Sequence, residues 1–181
     1  MINSYISGKN IFLRHPSLED AQGDWYQWLS DPETTKWLAM QNLPNSKDKQ
    51  IDFYNSLKND TSRLVLSIVD IESNQHIGVC SLSSINFISR CSDIAVLIGN
   101  DNFRSGIYAY EAMSLIIKVA FTRLNLRLIK SVFYEENEPT RLMHKKLNFI
   151  ECGRIENYLW NGKDYSNSII ASLQKKDWMS R

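Results

Sequence analysis

The segment from Asp93 to Ala112 gathers residue types that could do chemistry at a defined spacing. An apolar run, Asp93-Ile-Ala-Val-Leu-Ile98, enters the polar loop Gly99-Asn-Asp-Asn102. A long helical pattern then opens as Phe103-Arg-Ser-Gly-Ile-Tyr-Ala-Tyr-Glu-Ala112. Small residues at a strand-to-helix turn let several backbone N–H groups converge, and the helix N-terminus adds positive potential. That combination suits a pyrophosphate. One glycine at a helix start is also ordinary capping, so both readings stay open on this segment alone.

Other reactive or ligating side chains are scattered. Cys80, Cys91 and Cys152 lack the Cys/His spacing of a zinc site and are too few for a disulfide framework. No metal is expected, and the thiols read as reduced. His15 precedes Pro16 and His76 opens an apolar run, positions that suit structural roles. Trp25, Trp28 and Trp37 lie close together along the chain, where they can pack in a core or form a wall for a ring to stack on.

The patterning supplies the elements that must position these groups. Asn10 to Arg14 reads as a strand, and Ser17 caps a helix from Leu18 to Leu29. Asp31-Pro32 breaks the chain before a second helix, Glu33 to Met40. Ser46 caps a third helix over Asp48 to Lys58, with Ile51, Phe53 or Tyr54, and Leu57 at helical spacing. Strands follow at Leu64–Val69, His76–Ile88 and Cys91–Ile98. The helix Ser105 to Leu124 carries one apolar stripe through Ala109, Ala112, Met113, Ile116, Ile117 and Ala120. A strand at Leu128–Tyr134 and a helix at Glu138–Leu147 come next. Strands at Glu151–Trp160 and Tyr165–Leu173 close the chain around an Asn161-Gly162 turn. This order is of the α+β class with a strand–helix–strand unit in its second half, and the length suits one domain over residues 1–181.

Charge narrows the partners. The 21 Lys and Arg residues against 20 Asp and Glu leave a net charge of +1, without the electrostatic footprint of a nucleic-acid binder or an anionic-membrane binder. The longest apolar stretch, Leu115 to Phe121, is broken by Lys118 and too short to span a bilayer. The opening MINSYISGKNIFLRH has no apolar run, so no leader is expected and the location read is cytoplasmic.

Several motifs follow one another in a fixed order. They are Ile11-Phe-Leu-Arg14, Trp28-Leu-Ser-Asp-Pro-Glu-Thr34, His76-Ile-Gly78, Ser92-Asp-Ile-Ala95, Arg104 to Ala112, Tyr134 to Phe149, Gly153-Arg154 and Asn161-Gly-Lys-Asp-Tyr165. In that order they resemble the GNAT superfamily of acetyl-CoA-dependent N-acetyltransferases, in the branch holding ribosomal-protein N-terminal and amino-sugar-nucleotide acetyltransferases. The resemblance implies a GNAT fold, with a mixed, mostly antiparallel central sheet flanked by helices. It implies acetyl-CoA as co-substrate and direct attack by a primary amine in a ternary complex.

Aligned on Glu111-Ala112, Arg104 takes the first position of the family's pyrophosphate loop, followed by Ser105, Gly106, Ile107, Tyr108 and Ala109. Ile107 stands where glycine is usual, and its β-branched side chain narrows the approach; Gly106 sits one residue early. Val96, Leu97 and Ile98 match the strand lining the thioester, where the resemblance implies a bulge and a backbone N–H for the oxyanion. Asn137 matches a cofactor-contacting Asn and also suits an N-cap. His144 stands where a Tyr usually protonates the leaving thiolate, and an imidazolium of reference pKa about 6.5 can do the same. Its other reading is a surface histidine among Arg141, Lys145 and Lys146. Asn148 replaces the Gly of the family's Gly-Phe pair and tolerates the left-handed conformation there.

Asp93 aligns with the family's catalytic carboxylate, ahead of Glu135, Glu136 and Asp164. Trp28 and Trp37 fall on the acceptor side as substrate-binding candidates. The acceptor expected first is a small-molecule amine, a nucleotide-linked amino sugar of surface-polysaccharide synthesis. Protein N-terminal acetylation of the ribosomal type, then small polyamine or antibiotic amines, are the alternatives. Ile107 and His144 also leave open a non-catalytic acyl-CoA-binding module. Family members are often homodimers, which the sequence neither demands nor excludes.

Overall fold

The computed structural model describes residues 4–38 and 43–180. Its strands are β1 (Ile6–Ser7), β2 (Ile11–Arg14), β3 (Leu64–Asp70), β4 (His76–Asn86), β5 (Cys91–Ile98), β6 (Leu128–Tyr134), β7 (Ile150–Trp160) and β8 (Tyr165–Gln174). They form one sheet in the order β1-β2-β3-β4-β5-β6-β8-β7. Every pairing is antiparallel except β5 with β6. The helices are α1 (Leu18–Gln22), α2 (Trp25–Trp28), α3 (Pro32–Thr35), α4 (Lys47–Ser56), α5 (Gly106–Thr122), α6 (Glu138–Lys146) and α7 (Lys175–Met179). This is the expected α+β, mostly antiparallel architecture.

The site is prepared by the one parallel pair. Helix α5 carries the chain from the end of β5 back to the start of β6, so the two strands run side by side. They pair only from Cys91↔Leu128 to Asp93↔Lys130. Beyond Asp93 each is held by its outer neighbour: β5 by β4 through Gly78↔Ile98, and β6 by β8 through Tyr134↔Ser168. The strands therefore part, and backbone groups between them lose their ladder partners.

Two apolar cores fix the helices on opposite faces of the sheet. Leu66, Cys80 and Ile94 pack with Met113, Ile116, Ile117 and Ala120 of α5 and with Leu147 and Phe149 after α6. The alternate residue Val65 packs with Trp25 and Trp28, flanked by Val79 and Phe53. Strand alternation alone separates the two sets. The predicted stripe of α5 is its buried face, except that Ala109 is only half-buried at the rim.

Several elements are shorter than their patterns suggest. The Leu18–Leu29 helix is two pieces, because the Gly23 N–H closes back onto Glu19 and Asp20 and the helix restarts at Trp25. Asp20 itself is buried, where it accepts both Arg14 guanidinium bonds and the Ser67 hydroxyl. Burial opposes its charge, yet Arg14 and its other partners hold the carboxyl down at about 2. The helix expected over Glu33 to Met40 is a single turn, Pro32–Thr35, capped by Asp31; residues 39–40 of that expectation lie outside the described residues. Strand β4 stops at Asn86 rather than Ile88, after an irregularity that includes Ser84 at φ 51°. The Asn161-Gly162 turn widens to residues 161–164, tied by Asn161 Oδ1 accepting from the Lys163 and Asp164 N–H groups. Two short elements, β1 and α7, carry too little pattern to be seen in sequence. Asn148 does adopt the left-handed conformation, at φ 66°, just past α6.

Candidate active site

A cleft of about 700 Å³ opens where β5 and β6 part. Val96, Leu97 and Ile98 line it from β5, and Ser131, Val132 and Phe133 from β6. The start of α5 contributes Ser105, Gly106 and Ala109, and α6 contributes Asn137, Thr140, Met143 and His144. The turn after Asp31 adds Glu33, Thr34, Lys36 and Trp37. Three segments far apart in sequence thus meet the two parted strands.

The N-terminus of α5 is left open. Ser105 occupies the N-cap position, but its side chain makes no capping bond and the first turn holds no acid. The N–H groups of that turn have no acceptor within the helix. By contrast α1, α3, α4 and α6 each have a side-chain cap and an acid in the first turn. A β-carbon added at Gly106 would meet nothing within 4 Å, so the space before the helix is clear. Ile107 does not obstruct it by strain: no residue from 104 to 109 has a left-handed φ, and the Ile107 side chain is exposed. The implied bulge at Val96–Ile98 is absent. Cys80↔Val96, Val79↔Leu97 and Gly78↔Ile98 are in continuous register, and the irregularity of this ladder lies at Ser83/Asn86. The parting of β6 instead frees the backbone groups of this stretch that point away from β4.

Arg104 lines the cleft but is already paired. Its guanidinium meets Asp101 at 2.7 Å and Asp31 at 3.4 Å, and it donates to the Thr34 hydroxyl. Two carboxylates neutralise it, and the pairing ties the loop before α5 to the turn that carries Trp37. Gly99, at the head of that loop, rests on Trp28: any β-carbon there would fall inside the indole.

On the opposite side, Asn137 is buried and accepts the Thr140 N–H, capping α6 while lining the cleft. His144 is 3% exposed, with its ring packed between Phe133 at 5.0 Å and Phe149 at 4.5 Å. It is not the surface histidine of the alternative reading. Neither ring nitrogen has a partner among the described residues, although the ring lines the cleft. Burial lowers its pKa to about 4, with Glu151 opposing, so near pH 7 it is neutral rather than an imidazolium.

The remaining predicted residues divide. Asp93 does not line the cleft; its carboxylate pairs with Lys130 at 3.1 Å across the last rung of the parallel ladder. Glu135 is held by Arg154 and Asn167, which keep it below the ordinary carboxylate range. Asp164 accepts the Tyr165 N–H in the exposed turn. Tyr108 packs edge-on against Phe103, away from the cleft. Trp28 is a core residue, 7% exposed with its ring 4.9 Å from His76, so it has no face to offer a substrate. Trp37 does line the cleft, its ring 5.7 Å from Tyr134. It also borders a second cavity of about 290 Å³, shared with Lys36, Glu136, Asn161 and Ser166. Thr34, Lys36 and Ser131 were not singled out in sequence, because only the folded turn and the parted strand expose them to the same space. The Glu of the Glu-Ala pair acts elsewhere: Glu111 accepts the Lys9 and Asn10 N–H groups and the Asn10 amide, pinning α5 to the β1–β2 turn.

Among the described residues no group of three or more His, Cys, Asp or Glu could hold a metal ion. No helix among them is long and apolar enough to cross a membrane.

Comparison with known proteins bears on this geometry. The family model of the acetyltransferase (GNAT) domain matches residues 10–150. An uncharacterized N-acetyltransferase p20 of Bacillus licheniformis is 29% identical over 153 residues, covering 83% of this chain and 84% of that protein. The spermidine N(1)-acetyltransferase of Vibrio cholerae is 26% identical over 132 residues, covering 72% and 75%. A solved structure of spermidine N-acetyltransferase from Vibrio cholerae, in complex with CoA and spermine, superposes with a TM-score of 0.87 at 18% identity, covering 95% of this chain and 99% of that one.

Proposed function

Because the chain belongs to the GNAT family of acetyl-CoA-dependent N-acetyltransferases, we propose that its cleft transfers an acetyl group to a primary amine of a small molecule by direct attack. The parting of β5 and β6 beyond Asp93 is the observation that carries this reading, since it places an uncapped helix start and freed strand backbone in one cleft. Acetyl-CoA supplies an activated thioester, and the open first turn of α5 suits its pyrophosphate. Gly106 leaves the approach clear, while the backbone N–H groups of Gly106 to Tyr108 and those of Val96 and Ile98, which point away from β4, are the donors toward anionic oxygens. Asn137 contributes its side-chain amide from the facing wall.

The proton balance suits neutral residues. The amine loses one proton on acylation and the departing sulfur gains one, so no net acid or base is needed when the amine enters neutral. Neutral His144 offers one N–H and one lone pair, so it can donate on one nitrogen while accepting on the other. Asp93 stands aside, neutralised by Lys130.

For the acceptor, the spermidine acetyltransferase likeness favours a small amine over the nucleotide-linked amino sugar, for which none of these relatives speaks. The test is thiol release from acetyl-CoA with a panel of small primary amines. Release with at least one amine is expected. An acetyl-CoA-induced rise in melting temperature with no release from any amine would leave only a binding module.

A further inference from the structure

The second cavity borders the first at Lys36 and Trp37, which line both. An amine reaching the parted strands therefore has the rest of its body directed past Trp37 into that smaller space. Its chemistry is unlike the cleft's. Trp37 presents a 37% exposed indole, and Asn161 and Ser166 close one side, joined by the Asn161 amide donating to the Ser166 hydroxyl. The cavity holds two charges, Lys36 and Glu136. Lys36 already faces Glu33 at 3.7 Å and lies 5.6 Å from the Trp37 ring centroid. Glu136 has no ion pair or side-chain hydrogen bond among the described residues, unlike its neighbour Glu135, which Arg154 and Asn167 hold. Because Lys36 is engaged by Glu33, the carboxylate of Glu136 is the charge of this cavity that has no ion pair among the described residues. The seating of Lys36 over the indole shows that this aromatic surface accepts an ammonium.

We propose that the Trp37–Glu136 cavity is a subsite for a second cationic group on the acceptor, so that the enzyme selects linear diamines over monoamines. This rests on the reading of the cleft as an acetyl transfer site for small amines. The carboxylate of Glu136 and the face of Trp37 bind the distal ammonium, while the near amine, in its neutral form, reaches the parted strands. Glu136 is a binding residue here and takes no part in proton transfer. An exposed ion pair combined with a partly desolvated cation–π contact corresponds to a preference of roughly fivefold to tenfold.

The experiment compares kcat/KM of the full chain for 1,4-diaminobutane and butylamine, in the wild type and in Glu136→Gln. The substitution is on an exposed side chain, so folding is not at stake. The expected result is a wild-type preference for the diamine that Glu136→Gln reduces by about fivefold through KM, with butylamine turnover unchanged. An equal fall of kcat for both amines would make Glu136 a base and overturn the subsite. An unaltered preference would overturn it as well, while leaving acetyl transfer intact. If neither amine, nor any other in the panel, releases CoA thiol, the transfer reading fails and the subsite with it.

Discussion

The two long helices that border the cleft begin in opposite ways. Helix α6 has a complete N-terminus: Asn137 accepts the Thr140 N–H, Pro139 sits in the first turn and Glu138 complements the dipole. Helix α5, nearly twice as long, has Ser105 at its cap without a capping bond and no acid in its first turn. A helix start left open in this way forgoes about 1 kcal/mol of capping stabilisation, and more where a first-turn carboxylate would have met the dipole. The difference shows a division of labour. One wall of the cleft is finished by the protein itself, and the other is left open, which on the proposed function is where the phosphates of acetyl-CoA would sit.

Closing the open start is the sharpest way to break this contrast. Ser105→Asp should raise the stability of the ligand-free protein slightly, by about 0.5 kcal/mol, because it adds a cap and a favourable charge. The same substitution should weaken acetyl-CoA binding by about 2 kcal/mol, roughly thirtyfold. Calorimetric titration and thermal unfolding together read both signs. Binding and stability that rise together would mean that α5 does not face the phosphates.

The finished wall has its own signature in pH. His144 has a folded pKa lowered from 6.5 to about 4, so the unfolded state binds more protons between those values. Its contribution is fully present above pH 6.5 and is lost as pH falls toward 4. From pH 7 to pH 5 that amounts to about 2 kcal/mol. His76, also lowered by burial, acts in the same direction. His144→Leu should therefore lose less stability than wild type over this interval, measured by urea midpoints at the two pH values. Parallel slopes in the two proteins would contradict the burial of a neutral imidazole.

A smaller effect is expected at the α6 cap. Asn137→Ala removes the bond to the Thr140 N–H and should lower stability by about 1 kcal/mol, read from the midpoint of urea unfolding. Smallest of all is Asp93→Asn, which should leave kcat within about twofold because an exposed pair with Lys130 is worth little. A large fall in turnover without loss of fold would return Asp93 to the chemistry.

Much of this was legible beforehand. The succession of elements along the chain, the long helix and the loop from Gly99 to Gly106 are written in hydrophobic period and turn residues, and Leu128–Tyr134 is found with its predicted bounds. What the pattern does not show is the pairing and burial of residues whose neighbours come from elsewhere. Arg104 looks like a phosphate ligand until Asp31 and Asp101 are seen beside it. Trp28 and Trp37 look alike on the chain, yet one lies under Gly99 and the other borders the cleft. Ile107 reads as an obstruction only if its position needs a left-handed φ, which it does not.

The sequence by itself determined the family, the strand–helix–strand unit and the small-residue start of α5, because these depend on local spacing along the chain. Only the tertiary structure decided which charges are free. Lys130 neutralises Asp93, Arg154 holds Glu135, and burial between two phenylalanines keeps His144 neutral. Electrostatic state depends on distance and dielectric surroundings, and both are set by segments that meet only when the sheet has formed.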